Sequence, residues 1–208
     1  MQASRPGPSV DVVKRGVPLR YQANEIPPVT QVRSTLVSSS IRAITSAGRL
    51  AEYEKLLPPQ LHAAVVGTIA GSWLGIDVAI AHYRVMDALV VDVRDQLSVG
   101  ETVGSTVRSY LFGTSRTAPV AGATPWTILP HTRRTWDRLY VGGDVSIEET
   151  GPQEFVRTIY GLPLCEIPYF RNASRGTMQS VISRWCTKCE VTETSWTSTT
   201  LQWRISWM

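Results

Sequence analysis

The chain lacks the short sequence signatures of the common catalytic sites. It contains no G-x-S-x-G turn, no Walker phosphate loop, no H-E-x-x-H zinc helix and no G-x-G-x-x-G dinucleotide turn. Its carboxylate pairs, such as Glu148 with Glu149, have no evident partner for acid–base chemistry. We therefore expect a binding protein rather than an enzyme, and an uncharacterised enzyme ranks behind the two binding functions described below.

Long basic runs and an apolar leader are also missing. The 21 Lys and Arg residues exceed the 17 Asp and Glu residues by only four, and they are scattered along the chain. Because nucleic-acid binding usually needs a basic face, we expect no nucleic-acid partner. The opening MQASRPGPSVDVVKRG has no apolar segment, so we expect a cytoplasmic protein in which the three cysteines are reduced.

A long apolar run is present only once, at residues 63–81 (AAVVGTIAGSWLGIDVAIA). Asp77 interrupts this run, and Leu74-Gly75 is typical of a break between two shorter helices. The stretch therefore predicts a buried pair of helices and no membrane span.

Proline and glycine mark residues 1–28 as an irregular tail, which leaves one domain at residues 29–208. Apolar positions follow a helical period up to about residue 140, and Gly100 and Gly104 indicate a close helix–helix contact. An alternating segment, DVSIEET, and a segment of β-branched and aromatic residues, EFVRTIYG, then precede a helix from about Pro168 to Trp185, and the chain closes with a hairpin ending in LQWRISW. This ββαββ order predicts an α+β fold, with N-terminal helices packed on a four- to five-stranded antiparallel sheet.

Several segments together resemble a paralogous family of myxobacterial proteins over residues 30–207. They are LPPQL, GSWLGIDVAIAHYRVMDAL, GATPWTILPHTRRTWDRLYVGG, GLPLCEIPYFRNASRGTMQSVISRWC and LQWRISW. That family is similar in turn to the superfamily of vinyl-reductase-type sensory domains, haem-NO-binding domains and TRAPP subunits. The resemblance implies a domain, often dimeric, with an apolar pocket between its helices and its sheet.

Large apolar side chains are the candidates for lining such a pocket. We assign to it Tyr83, Met86, Trp126, Trp136 and Phe170. The alternative is that the tryptophans only fill the core or form a dimer surface.

Two arginines near the start of the last helix are candidates for binding a charged head group. Arg171 and Arg175 are four residues apart, so they share one face of that helix. The competing interpretation is that they form ion pairs with Glu148, Glu149 or Glu154 on the sheet.

The cysteines and histidines do not make a clear cofactor site. Cys186 and Cys189 form one C-x-x-C pair at the end of a predicted helix, and Cys165 stands apart, whereas a thiolate zinc site needs four ligands. We expect a structural role for them and keep zinc bound by Cys165, Cys186 and Cys189 as the alternative. Haem is also not expected, because the Tyr-x-Ser-x-Arg sequence of haem-binding relatives is missing.

The sequence thus favours a non-enzymatic binding domain that senses or carries a small apolar or aromatic ligand. The second hypothesis is an adaptor or scaffold subunit that acts through protein–protein contacts and has a vestigial pocket. In both cases we expect a homodimer or a partner protein, because the resemblance implies dimers and the apolar last strand offers an edge for pairing.

Overall fold

The computed structural model describes residues 15–112 and 122–208, in which helices and short strands precede four longer strands. The strands are β1 (Gly16–Val17), β2 (Gln31–Arg33), β3 (Trp73–Gly75), β4 (Tyr140–Val141), β5 (Asp144–Gly151), β6 (Glu154–Tyr160), β7 (Cys189–Trp196) and β8 (Leu201–Trp207). The α-helices are α1 (Ser34–Ser46), α2 (Leu50–Leu56), α3 (His62–Val65), α4 (Ile76–Leu89), α5 (Val93–Phe112), α6 (Thr132–Leu139) and α7 (Pro168–Ile182). Single 3₁₀ segments lie at Pro59–Leu61, Pro125–His131, Pro163–Glu166 and Ser183–Trp185.

The main sheet has five antiparallel strands in the order β1-β5-β6-β8-β7. Its inner face is apolar because alternate residues of each strand point to the helices, and on β8 these are Leu201, Trp203, Ile205 and Trp207, all buried. The predicted α+β fold and its antiparallel sheet in ββαββ order are confirmed.

The edges of this sheet differ from the expectation. β8 lies between β6 and β7 and is hydrogen-bonded on both sides, so the expectation that it offers a free apolar edge is wrong. The edge on that side is β7, where a register shift between Glu193 and Ser195 interrupts the pairing. Bulges and charged residues of this kind protect an edge strand from unwanted pairing.

A second, three-stranded sheet in the order β3-β2-β4 was not predicted. It corrects the expectation for residues 63–81, because only His62–Val65 is helical before the chain turns into β3. Gly71 adopts a positive φ of 91° in that turn, a conformation that favours glycine. Within the described residues, no helix combines the length and the apolar character needed to cross a bilayer.

The N-terminal segment that the structure describes lies against the domain. β1 pairs with β5, and the Arg20 guanidinium forms ion pairs with Asp144 at 3.1 Å and Asp137 at 2.8 Å. Asp144 is fully buried, so Arg20 supplies its counter-charge. Residues 1–14 of the predicted tail lie outside the described residues, and the domain boundary at residue 28 stays a prediction.

Helices α5 and α7 pack at very short range, as the glycines on α5 predicted. A Cβ atom added at Gly100 would overlap the backbone carbonyl of Ala173, and one added at Gly176 would overlap the carbonyl of Leu97. Thr177 Oγ1 donates a hydrogen bond of 2.9 Å to the Gly100 carbonyl across this contact. The contact fixes α7 over the inner face of the sheet, where it forms one wall of the cavity described next.

Candidate functional site

A cavity of about 140 Å³ lies between the helices and the inner face of the five-stranded sheet. Five helices and the turn before α6 form one wall: Leu36, Ser40, Tyr83, Val103, Val107, Ile128, Thr132, Thr135, Trp136, Leu139, Tyr169, Phe170, Ala173, Ser174, Thr177, Met178 and Val181. Strands form the other wall: Tyr140, Ile147, Phe155, Arg157, Ile159 and Trp203. The surface is mostly apolar, with a few hydroxyl groups and a single charged group.

Aromatic side chains give the cavity a defined shape. The rings of Tyr83 and Phe170 meet edge to face with their centroids 5.2 Å apart, and those of Trp136 and Tyr140 are 4.4 Å apart. Trp136 is also fixed by its indole N–H, which donates a 3.0 Å hydrogen bond to the Gly142 carbonyl. Aromatic pairs with this geometry stabilise each other beyond the contribution of their buried apolar area. The rings of the wall are therefore held in position before a ligand binds.

The structure brings three of the predicted ligand-binding residues to the cavity and leaves four outside it. Tyr83, Trp136 and Phe170 line it. The residues that do not are Met86, Trp126, Arg171 and Arg175. Met86 is fully buried elsewhere in the core, and Trp126 packs against Phe155, with a centroid distance of 5.6 Å.

Arg171, the first arginine of the predicted pair on α7, is engaged by protein groups instead. Arg171 forms an ion pair of 3.2 Å with Glu193 of β7 and lies over the Trp196 ring at 4.0 Å. It also donates hydrogen bonds to the carbonyl oxygens of Cys165 and Glu166. The partner of Arg171 is therefore Glu193 and not one of the three sheet glutamates considered from the sequence.

The polar groups that do face the cavity were not predicted from the sequence. Arg157 lies on β6, and Trp203 lies opposite it on β8. The indole N–H of Trp203 has no hydrogen-bond partner among the described residues. The Tyr169 hydroxyl lies close to Ser40, but without the geometry of a hydrogen bond. The signal for Trp203 in the sequence was the strict alternation of β8, and Arg157 shares its face because it is paired opposite Trp203.

A buried histidine lies directly behind the cavity wall. Its two ring nitrogens contact hydroxyl groups, with Nε2 of His82 3.0 Å from Ser40 Oγ and Nδ1 2.7 Å from the Tyr53 hydroxyl. Complete burial lowers the pKa of His82 to about 3, so the ring is neutral at physiological pH. Ser40 belongs both to this network and to the cavity wall, so the network fixes the position of α1 against α4.

The three cysteines do not meet at one point with other ligands. Cys189 begins β7 as expected, and its thiol is in contact with that of Cys186. Burial raises the pKa of both Cys165 and Cys189 to about 12, which keeps the thiols protonated. In residues 15–112 and 122–208, no three His, Cys, Asp or Glu side chains are grouped closely enough to hold a metal ion.

Replacing both Cys186 and Cys189 with Ala is expected to lower the free energy of unfolding by about 1–2 kcal/mol per residue, because only small buried groups are lost. Urea denaturation measures this, with Cys165→Ala as the control for loss of one buried thiol. Elemental analysis of the purified protein should find far less than one zinc per chain. Zinc near one equivalent that is lost together with the fold on chelation would contradict a structural role.

Comparisons with known proteins bear on the fold. No protein-family description and no curated protein sequence matches the chain. Among solved structures, the Fe(II) unliganded H-NOX protein from K. algicida matches with a TM-score of 0.58 and 10% identity, over 85% of this chain and 96% of that one. A single-residue variant of Tt H-NOX matches with a TM-score of 0.54 and 10% identity, over 84% and 94% of the two chains. The chain has the H-NOX fold. At this identity the likeness concerns the fold alone.

Haem is the cofactor that this fold implies, and the residues present do not fit it. None of the three histidines lines the cavity, and both nitrogens of His82 already contact hydroxyl groups. The cavity volume of about 140 Å³ is close to the ~150 Å³ of an engineered apolar cavity that binds benzene. A porphyrin is several times larger than benzene, so haem would require the wall to be rebuilt.

Proposed function

We propose that this protein is a non-enzymatic binding domain that senses or carries one small apolar or aromatic molecule in the cavity between α7 and the sheet. The observation that carries the proposal is the cavity itself: a space of about 140 Å³ with aromatic walls between the helices and the sheet. Apolar surface of this kind gains free energy by excluding water from a ligand of matching shape. The ligand size that the volume favours is a single ring or a short branched chain.

The ionisable groups around the cavity favour binding over catalysis. They are three tyrosines and one arginine, and no His, Cys, Asp or Glu residue is part of the wall. Burial raises the pKa of Tyr83, Tyr140 and Tyr169, so none of these hydroxyls can act as a general base near neutral pH. A site without an acid–base pair or an activated nucleophile is suited to recognition.

The adaptor function is the second candidate, and exposed apolar residues at the α4–α5 junction favour it. Val91 is 78% exposed and Val93 is 50% exposed, which is unusual for aliphatic side chains so close in the sequence. An adaptor with a vestigial pocket would not respond to small apolar ligands. Membership of the myxobacterial family, a homodimeric state and a cytoplasmic location remain proposals that rest on the sequence resemblance and composition.

Toluene is expected to stabilise the protein, because a ligand that binds only the folded state shifts the unfolding equilibrium. At ten times its dissociation constant it would add about 1.4 kcal/mol, which raises the Tm by about 3–6 °C for a chain of this size. Differential scanning calorimetry measures the shift.

Ser174→Leu is the variant that should remove this response, because Ser174 lines the cavity and a leucine there would fill it. Ser98→Leu, at an exposed position of α5, is the matched control and should keep the full shift. Equal responses of the two variants, or no response of the wild-type protein, would contradict the cavity as a ligand site.

A further inference from the structure

An arginine without a counter-charge lies in the middle of the cavity's strand wall. Phe155, Arg157 and Ile159 are alternate residues of β6, so all three face inward, and all three line the cavity. The neighbours of Arg157 on the adjacent strands are Ile147 on β5 and Trp203 on β8. Arg157 is thus the single charged side chain in a wall of apolar and aromatic groups.

No anion of the described residues neutralises this arginine. Ion pairs engage Arg20, Arg49 and Arg171, but none involves Arg157, and no hydrogen bond of its guanidinium is present in that part of the chain. The ionisable groups that act on it are Tyr140 and Cys165, and both are neutral at pH 7 because burial raises their pKa values. Burial lowers the pKa of Arg157 itself to about 10, which leaves it protonated.

The surroundings orient the guanidinium rather than neutralise it. Its central carbon lies 5.3 Å from the centroid of the Trp203 ring, so the cation contacts the ring electrons. Trp203 is only 1% exposed, and its indole N–H has no acceptor among the described residues. A half-buried cation in an apolar wall, beside a buried and unsatisfied N–H donor, is costly to maintain unless an acceptor enters from outside the chain.

We propose that Arg157 binds the carboxylate of the ligand, so that the cavity takes a small apolar monocarboxylic acid, such as an aromatic or branched aliphatic acid. This inference rests on the proposed ligand-binding function and specifies its ligand class. The guanidinium matches a carboxylate with two parallel hydrogen bonds, and the apolar remainder of the ligand would lie against Phe155 and Phe170.

A carboxylate fits this site better than a phosphate does. The wall provides one cation, whereas a phosphate ester carries more charge and needs several donors. The volume of about 140 Å³ also leaves room for one ring with a small substituent. From the sequence, Arg171 and Arg175 were assigned the recognition of an anionic head group. We now assign this role to Arg157 on the sheet.

Isothermal titration calorimetry of the full chain with benzoate and benzamide tests the inference, because the two probes have the same shape and differ in charge. The wild-type protein should bind benzoate at least tenfold more tightly than benzamide. Arg157→Met should weaken benzoate binding tenfold or more and change benzamide binding less than twofold. Arg204→Met removes an exposed arginine from the outer face of β8 and should change neither affinity.

The outcomes separate this inference from the proposed function. If toluene binds but benzoate has no advantage, or if Arg157→Met leaves benzoate binding intact, the carboxylate proposal is overturned and ligand binding stands. If none of the three probes binds, both proposals fail.

Ligand-free Arg157→Met provides a second readout that does not depend on binding. Its Tm should equal or exceed that of the wild-type protein, because a charge without a counter-charge has been removed from an apolar wall. A Tm lowered by about 10 °C or more would show that Arg157 has a structural partner and would overturn the proposal.

Discussion

Lowering the pH from 7 to about 4.5 is expected to remove about 2.5 kcal/mol from the free energy of unfolding through His82 alone. The pKa of this histidine is about 6.5 in the unfolded chain and about 3 in the fold, where burial disfavours the charged ring. Below pH 6.5 the unfolded state therefore binds a proton on His82 that the folded state does not bind. Stability falls with each pH unit until the folded-state pKa near 3 is reached, and no further loss from this group follows below it.

His82→Gln is the variant that isolates this effect. It should be about 1–3 kcal/mol less stable than the wild-type protein at pH 7, because the Tyr53 hydroxyl loses its buried partner. Its stability should then fall less steeply toward low pH, so that the two curves converge. Urea titrations at a series of pH values measure the free energy of unfolding of both proteins. Subtracting one curve from the other removes the contribution of the carboxylates, which both proteins share.

The control for this experiment is His62→Gln, which removes a histidine outside the network. Its free energy of unfolding should fall toward low pH as steeply as that of the wild-type protein. Parallel curves for the wild-type protein and His82→Gln between pH 6.5 and 3 would contradict a neutral, buried His82.

Adding one methyl group to each side of the α5–α7 contact should have an effect of similar size. Gly100→Ala and Gly176→Ala place a Cβ atom on a backbone carbonyl of the opposite helix, and a backbone atom cannot rotate away as a side chain can. We expect each substitution to cost about 3 kcal/mol, although alanine in an open helix position would gain up to about 1 kcal/mol over glycine. A loss of stability thus indicates a close helix contact, and a gain of stability indicates an open one.

Urea denaturation measures both variants, with Ser98→Ala on the exposed face of α5 as the control. That substitution should stay within about 0.5 kcal/mol of the wild-type protein. Because α7 forms a cavity wall, Gly176→Ala should also weaken toluene binding even where the protein remains folded. A stabilised Gly176→Ala protein would show that the two helices are not in backbone contact.

The elements with a long, regular apolar period were predictable from the sequence. The alternation of Leu201, Trp203 and Ile205 predicted β8, and the helical stripe through Tyr83 predicted α4. The three-stranded sheet was missed because its strands have only two or three residues, too few to establish a period. Pairing between such short segments depends on tertiary contacts, here between residues far apart in the chain.

The candidate site was only partly predictable. Aromatic residues were good candidates for an apolar pocket, yet Trp126 packs against Phe155 without lining the cavity, because residue type does not determine which part of the core a ring occupies. Arg157 was missed because its strand does not alternate strictly between apolar and polar residues. Because charged residues are rarely found on the inner face of a sheet, residue type alone would assign Arg157 to the outer face. Such a local conflict between pattern and residue type often marks a functional position.

Diffraction from crystals soaked in bromobenzene tests the central claim most directly, because the anomalous signal of bromine locates the ligand without a refined pose. The account predicts one bromine site per chain, inside the cavity between Phe170 of α7 and Phe155 of β6. Crystals of Ser174→Leu soaked in the same way should lack it. Bromine found only on surface residues such as Val91 and Val93, with the cavity empty, would contradict the account.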